Sequence, residues 1–174
     1  MKKLLIVVDY QNDFVNGALG FDGAEDIALV IKEKIETYLK NKQDVIFTLD
    51  THEEDYMNTM EGSKLPVKHC IKGTEGWKLH NAVNYLPLAK KIFEKPTFPS
   101  LDLANYLKDN YYDEVELCGL VSNICVVSNA IMVKAALPNA KIVIDAKATD
   151  SFDRNLQEKC FDVMQGLHIE IINR

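Results

Sequence analysis

The pattern of apolar and polar positions alternates between two periods. Short β-rich apolar runs at Leu4–Val8, Asp44–Leu49, Lys90–Glu94, Val115–Cys118, Lys141–Ile144 and His168–Ile172 predict strands. Longer stretches between them carry helical spacing. In Ala24–Lys42, Ile27, Val30, Ile31, Ile35, Tyr38 and Leu39 fall on one face, with charges opposite. Helices are also expected from Ser100 to about Asn110, from Ser122 to about Leu137, and over Asp153–Gly166. Leu4–Val8 is apolar without a break, as befits a strand covered on both faces. The Ser122–Leu137 helix is apolar on nearly every side, so either the sheet alone or a homo-oligomer contact as well must cover it. Thr51–Asn84 is irregular, and a long insertion of that kind in a compact domain is more often functional than not. No repeat or linker interrupts the pattern. The expectation is an α/β fold, one doubly wound domain over residues 1–174.

Composition narrows the function classes. The formal net charge is −6 and no basic run stands out, which argues against nucleic acid or an anionic membrane as partner. The N-terminal Met-Lys-Lys-Leu-Leu-Ile-Val-Val imitates the start of a signal peptide. Its apolar run stops at Asp9, too early for a leader, and reads better as the first strand. No stretch approaches the roughly 20 apolar residues of a membrane span. Cys70, Cys118, Cys125 and Cys160 show no paired spacing, so free thiols in a reducing cytoplasm are expected.

The strand ends carry the chemistry. Asp9 follows the first strand, Asp50 and His52 the second, Lys95 the third, and Gly119 with a turn to Cys125 the fourth. In an open parallel sheet the carboxyl ends share one rim, and ligands bind there. A dinucleotide fold would have a glycine-rich turn after the first strand; this chain has an acid, and its glycines come late and wrongly spaced. Asp9 can serve as a general base or simply cap a turn. Gly119 permits a sharp turn, Ser122 or Asn123 can cap the next helix, and Cys125 falls in its first turn, where free amides favour a thiolate and could hold an oxyanion. Cys118 and Cys160 read as structural. Lys95, beside a carboxylate and a thiol, would hold both as anions, or is an ordinary solvated lysine.

Asp50, His52, Glu61 and His69 form a second constellation. Asp50 and His52 point the same way from an extended segment, and the loop returns with His69. Two histidines and a carboxylate suit Zn²⁺, with Fe²⁺ or Mn²⁺ as alternatives, and leave coordination positions open. Cys70 is a rival ligand beside His69.

Asp9-x-Gln11-Asn12-Asp13-Phe14, Asp50-x-His52 with His69, Lys95, and Gly119-x-x-Ser122-Asn123-x-Cys125-Val126 occur in the order found in isochorismatase-like cysteine hydrolases. Over nearly its full length the chain resembles that superfamily, and within it the nicotinamidases most. The resemblance implies a three-layer α-β-α fold around a six-stranded, mostly parallel sheet. It implies a catalytic triad of Asp9, Lys95 and Cys125, a cis peptide at Leu120–Val121, and oxyanion donors in the backbone amides of Val121 and Cys125. It implies a metal held by Asp50, His52 and His69, with Glu61 as an added ligand. The implied reaction converts nicotinamide to nicotinate and ammonia through a thioester on Cys125, the pyridine nitrogen on the metal and the ring between Phe14 and Phe98, with Trp77 as a further aromatic. Three other readings compete: a cysteine hydrolase of another small amide or carbamoyl compound; from a different class, a phosphoacceptor receiver-type signalling domain, which Asp9, Asp13, Asp50 and Lys95 imitate; and a non-catalytic binding scaffold on the same fold, against which the complete triad argues.

Overall fold

Strand β1 (Lys3–Val8) lies in the middle of the sheet because both of its faces are apolar. Leu4, Ile6 and Val8 join the core on one side and Leu5 and Val7 the core on the other, all fully buried. The computed structural model describes residues 1–174. Helix α2 (Ala28–Lys40) covers the Leu5–Val7 face with Ile31, Ile35 and Tyr38. Helices α4 (Leu101–Asp109), α5 (Val127–Ala136) and α6 (Arg154–Gly166) cover the opposite face with Leu103, Leu107, Ala130, Val133, Phe161 and Met164. The result is the expected three layers. No helix is long and apolar enough to cross a membrane.

Beside β1 run β2 (Asp44–Asp50), β3 (Lys91–Lys95), β4 (Glu114–Leu120), β5 (Lys141–Asp150) and β6 (Glu170–Ile172), in the order β3-β2-β1-β4-β5-β6. Every neighbouring pair is parallel, one step beyond the mostly parallel sheet the resemblance implies. The chain steps outward from β1 to β3, then crosses back to lay β4 on the free side of β1. That reversal opens a crevice outside the carboxyl ends of β1 and β4.

Several boundaries differ from the pattern-based expectation. β5 continues past Ile144 to Asp150, through a register shift that sets Leu117 opposite Ile144 but Gly119 opposite Thr149. The apolar run ends at the irregularity while the strand goes on. Helix α2 starts at Ala28, not Ala24, and β6 starts at Glu170, because His168 takes a left-handed turn conformation (φ 61°). The insertion after β2 is a loop with short helical turns, among them α3 (Met60–Lys64). A parallel bridge from His52 to Ile71 and an antiparallel one from Gln11 to Leu79 pin it to the body. The helix expected from Ser122 begins with a π-type turn, Ser122–Val126, before α5.

Away from the crevice, one cation ties α2 to the sheet. Lys34 Nζ lies 2.7 Å from Glu116 and 2.6 Å from Asp145, and the Tyr38 hydroxyl donates to Glu116 at 2.8 Å. Burial alone would raise the Asp145 carboxyl, but the hydrogen bonds from Lys34 and the Lys147 amide, together with the Lys34 charge, outweigh burial and hold it below the ordinary value. Lys34→Met strands two buried anions and should cost about 3 kcal/mol at neutral pH, read as a lower urea midpoint. Wild-type Asp145 contributes stability above its unfolded pKa and loses it as pH falls through the lower folded value. In Lys34→Met burial of Asp145 is no longer opposed by the cation, so its carboxyl takes up a proton more readily folded than unfolded and the deficit should shrink between about pH 7 and pH 4. A deficit constant across that range would mean that the cation does not set the stability of this cluster.

Candidate active site

Four strand ends converge on one buried ammonium. Asp9 follows β1 in a left-handed backbone conformation (φ 45°) and is fully buried. The Thr48 hydroxyl, from β2, donates to Asp9 Oδ1 at 2.6 Å. Lys95, the last residue of β3, brings Nζ to 2.5 Å from Asp9 Oδ2, an ion pair by distance though not aimed along a hydrogen-bond line. The same Nζ lies 3.5 Å from Asp50 Oδ1 and 3.7 Å from Cys125 Sγ, and donates to the Thr97 carbonyl at 3.0 Å. β4 closes against β1 only because residue 119 is glycine. Its φ is 109°, and a Cβ there would stand 2.0 Å from the Val8 carbonyl oxygen.

The charges follow from this geometry. Burial would drive the proton off Lys95, but the charges of Asp9 and Asp50 oppose it, and the pKa is pushed up. Burial pushes the Asp9 carboxyl up, with Lys95 offsetting only part. Burial also pushes the Cys125 thiol well up. Lys95 acts against that, while Asp9 and Asp50 add to it. The expectation that Lys95 holds both groups as anions is therefore corrected: the ammonium already faces two carboxylates, Asp9 and Asp50, and burial with those two charges holds Cys125 as a neutral thiol.

Past Gly119 the Leu120–Val121 peptide is cis, as the resemblance implies. The Val121 carbonyl accepts from the amides of Ile124 and Val126, both at 3.1 Å, which closes the turn around Cys125. The Val121 N–H donates to no group of the protein. Neither Ser122 nor Asn123 caps the turn: Ser122 donates to Gln157 at 2.6 Å, and Asn123 Oδ1 is buried without a partner.

The second constellation also assembles. One donor atom each from Asp50, His52, Glu61 and His69 lie within 4.8 Å of one another. Asp50 Oδ2 is 3.1 Å from His52 Nε2 and 3.4 Å from His69 Nε2. Glu61 Oε1 is 3.5 and 3.7 Å from the same nitrogens. Four of the donor–donor separations, 3.1–3.7 Å, suit ligands about 2.0–2.2 Å from one ion, and an ion of coordination number five or six would keep a position open beside these four. His69 Nδ1–H donates to the Val67 carbonyl at 2.8 Å, which leaves the Nε2 lone pair facing Asp50. Glu61 Oε2 is buried without a partner, and Tyr56 packs against both imidazoles. Burial pulls the His52 imidazole down, but hydrogen bonds to Asp50 and Glu61 prevail and raise it to about 9. That crowding of anions is what a cation would relieve. Cys70 stands outside the group of four: its backbone is left-handed, its amide donates to Asp13 at 2.7 Å, and burial keeps its thiol neutral.

Both constellations face a cavity of about 430 Å³, lined by Asp50, Glu61, His69 and Cys125 among mostly apolar groups. Phe14 and Phe98 line it, Phe14 with its ring 5.6 Å from that of His69. Val121 lines it as well. Trp77 does not, which corrects its assignment as a substrate contact. Its indole N–H donates to Thr51 at 2.8 Å and its carbonyl accepts from Gln11 at 2.7 Å, so the ring packs against the core around α2. A larger open groove, about 790 Å³, lies between β3 and α4 and holds no residue of either constellation.

Two residues that hold these groups in place have no assigned role in the sequence: Gln11, which the motif after β1 contains, and Asn129, which no motif contains. Gln11, fully buried, receives the Asp50 amide at 2.7 Å and donates to the Asp50 carbonyl at 2.8 Å. Asn129, also fully buried, donates to the carbonyls of Cys125 at 2.8 Å and Phe98 at 3.0 Å, and accepts from the Ser100 amide at 2.9 Å. The lone carboxamide of a largely apolar helix is the one signal that points to Asn129.

The comparisons with known proteins agree with this geometry. The chain is 32% identical over 168 residues to an isochorismatase family protein, PncA, of Bacillus subtilis, covering 88% of this chain and 89% of that one. It is 29% identical to a nicotinamidase of Acinetobacter baylyi, covering 84% and 81%. The crystal structure of nicotinamidase/pyrazinamidase PncA from Bacillus subtilis superposes with a TM-score of 0.87 at 29% identity, over 98% and 99% of the two chains. A Pyrococcus horikoshii pyrazinamidase solved in complex with zinc shares the fold over the whole of both chains, with a TM-score of 0.87 at 24% identity. The isochorismatase-domain family model matches residues 3–173, and the chain belongs to the isochorismatase family.

Proposed function

We propose that this chain is a metal-dependent cysteine amidohydrolase that converts nicotinamide and water to nicotinate and ammonia. Its family and its nicotinamidase relatives make it a hydrolase acting on an amide. The observation that carries the finer reading is Lys95 Nζ within 3.7 Å of both Asp9 and Cys125, beside a four-residue cation site on the same cavity.

In this mechanism Asp9 takes the proton of the resting thiol as Sγ attacks the amide carbonyl. Lys95 stays protonated throughout and offsets the negative charge, which shifts from carboxylate to sulfur to oxyanion. The backbone amides of Val121 and Cys125 hold the tetrahedral oxyanion. Its collapse breaks the C–N bond, Asp9 passes the proton to the leaving nitrogen, and ammonia departs from a thioester on Cys125. Asp9 then deprotonates a water that attacks the thioester, the C–S bond breaks, and the thiol is restored with its proton. Asp50, His52, Glu61 and His69 would hold the divalent ion, with Zn²⁺ favoured by the donor set and Fe²⁺ or Mn²⁺ as alternatives. When bound, such an ion supplies an open coordination position suited to a pyridine nitrogen. Phe14 and Phe98 flank the ring. Four free cysteines support a reducing cytoplasm as the setting, with salvage of the pyridine ring as the role. A phosphoacceptor role is disfavoured because Asp50 is engaged by Lys95 through Oδ1 and by His52 and His69 through Oδ2.

Ammonia release from nicotinamide by purified protein, before and after chelation, tests the reading, and release unaffected by chelation would remove the metal from it. Cys125→Ala should lower kcat at least about 10⁴-fold with the thermal midpoint nearly unchanged. Residual turnover well above that would exclude the covalent route. His52→Ala should lose bound metal, measured by elemental analysis against protein, while the far-ultraviolet circular dichroism stays the same. Full metal content in that variant would exclude His52 as a ligand.

A further inference from the structure

The cavity is larger than a one-ring amide requires. At the packing density of protein interiors such a molecule fills roughly a third of its 430 Å³. The ionisable side chains in its lining are the ones already given roles: Asp50, Glu61, His69 and Cys125. Elsewhere the wall is apolar and aromatic. Leu19 and Phe21 come from the segment after α1 (Asn12–Val15), and Phe152 from the turn after β5. Phe152 is 64% exposed, yet its ring stands edge-on to that of Phe21, with centroids 6.2 Å apart.

This wall is built rather than incidental. Gly23, two residues past Phe21, has φ 100°, and a Cβ there would lie 2.6 Å from Asp150 Oδ2. Only glycine lets that segment seat against the end of β5. Asp150 also accepts from the Ser151 amide at 2.8 Å, and Arg154 reaches it at 3.4 Å, which fixes the turn that carries Phe152. Phe21 and Phe152 carry the apolar lining of the cavity continuously out to solvent, and a contiguous apolar surface of that kind, not one exposed ring, marks a binding use.

We propose that Leu19, Phe21 and Phe152 form an apolar subsite for a neutral alkyl or aryl substituent on the heteroaromatic ring, so that the chain also hydrolyses ring-substituted pyridine carboxamides. No cationic side chain lines the cavity, so a phosphorylated substituent finds no partner there. The bonds made and broken are those of the parent hydrolysis: water adds across C–N, and ammonia leaves. The proposal rests on the nicotinamide reading above.

The test is kcat/KM for nicotinamide and for its 5- and 6-methyl, propyl and phenyl derivatives, with wild type and Phe152→Ala. At one of the two ring positions kcat/KM should hold or rise with substituent size, by up to about fourfold for each methylene buried. Phe152→Ala should lower it about fivefold or more for the propyl and phenyl compounds and leave nicotinamide within about twofold. If every substituent lowers wild-type kcat/KM at both positions while nicotinamide is turned over, the subsite is wrong and the parent reading stands. If Phe152→Ala lowers all substrates alike, the subsite is also wrong. Turnover of a substituted amide but not of nicotinamide would uphold the subsite and overturn the parent substrate. No turnover anywhere in the series would overturn both.

Discussion

The site depends on one buried positive charge. The Lys95 ammonium has almost no contact with water, and a charge so placed is tolerated only where opposite charges and hydrogen bonds replace its solvation. Asp9, Asp50 and the Thr97 carbonyl do so. Each partner arrives from a different strand end or the loop beyond it, so the ammonium makes the sheet register a chemical requirement. Asp50 is opposite Lys95 in the pairing of β2 with β3, and Val8 opposite Gly119 in that of β1 with β4. A slip of one residue would turn these side chains to the other face.

Asp50 joins the two constellations. One oxygen faces Lys95 and the other faces His52 and His69, so the cation site and the proton-handling site share a carboxylate. Its position is fixed from behind. Gln11 engages both its backbone groups, and Asp13 receives the amide of Cys70, next to His69. Gly76 has to be glycine for this loop to pass, since a Cβ there would overlap the Asp13 carboxylate at 2.1 Å. The segment Gln11–Asp13 thus sets the distance between the sheet and the loop. Asn129 does the same between the Cys125 turn and the Phe98 segment.

The sequence made legible what rests on periodicity and on strand ends. Apolar runs mark β1 and the cores of the other strands, and each of the first four is followed by a reactive residue that the parallel sheet brings to one rim. What depends on the path of a loop was not legible. Trp77 faces the core because Gln11 and Thr51 hold its backbone and indole, contacts between residues far apart in the chain. The second half of β5 was missed because Ala146–Thr149 lacks an apolar signature. The neutral state of Cys125 follows from burial and from the nearness of Asp9, neither of which the helix-start pattern encodes. Gln11 and Asn129 act through hydrogen bonds to the backbone of residues far along the chain or across a turn, and those partners are not written in their type.

The resting state of that thiol has a consequence for survival of the protein rather than for its turnover. Peroxide and electrophiles attack thiolates, and they attack those that solvent can reach. Cys125 is only 5% exposed, and it carries its proton until Asp9 takes it. A nucleophile sheathed in this way is shielded from oxidative loss between encounters with substrate.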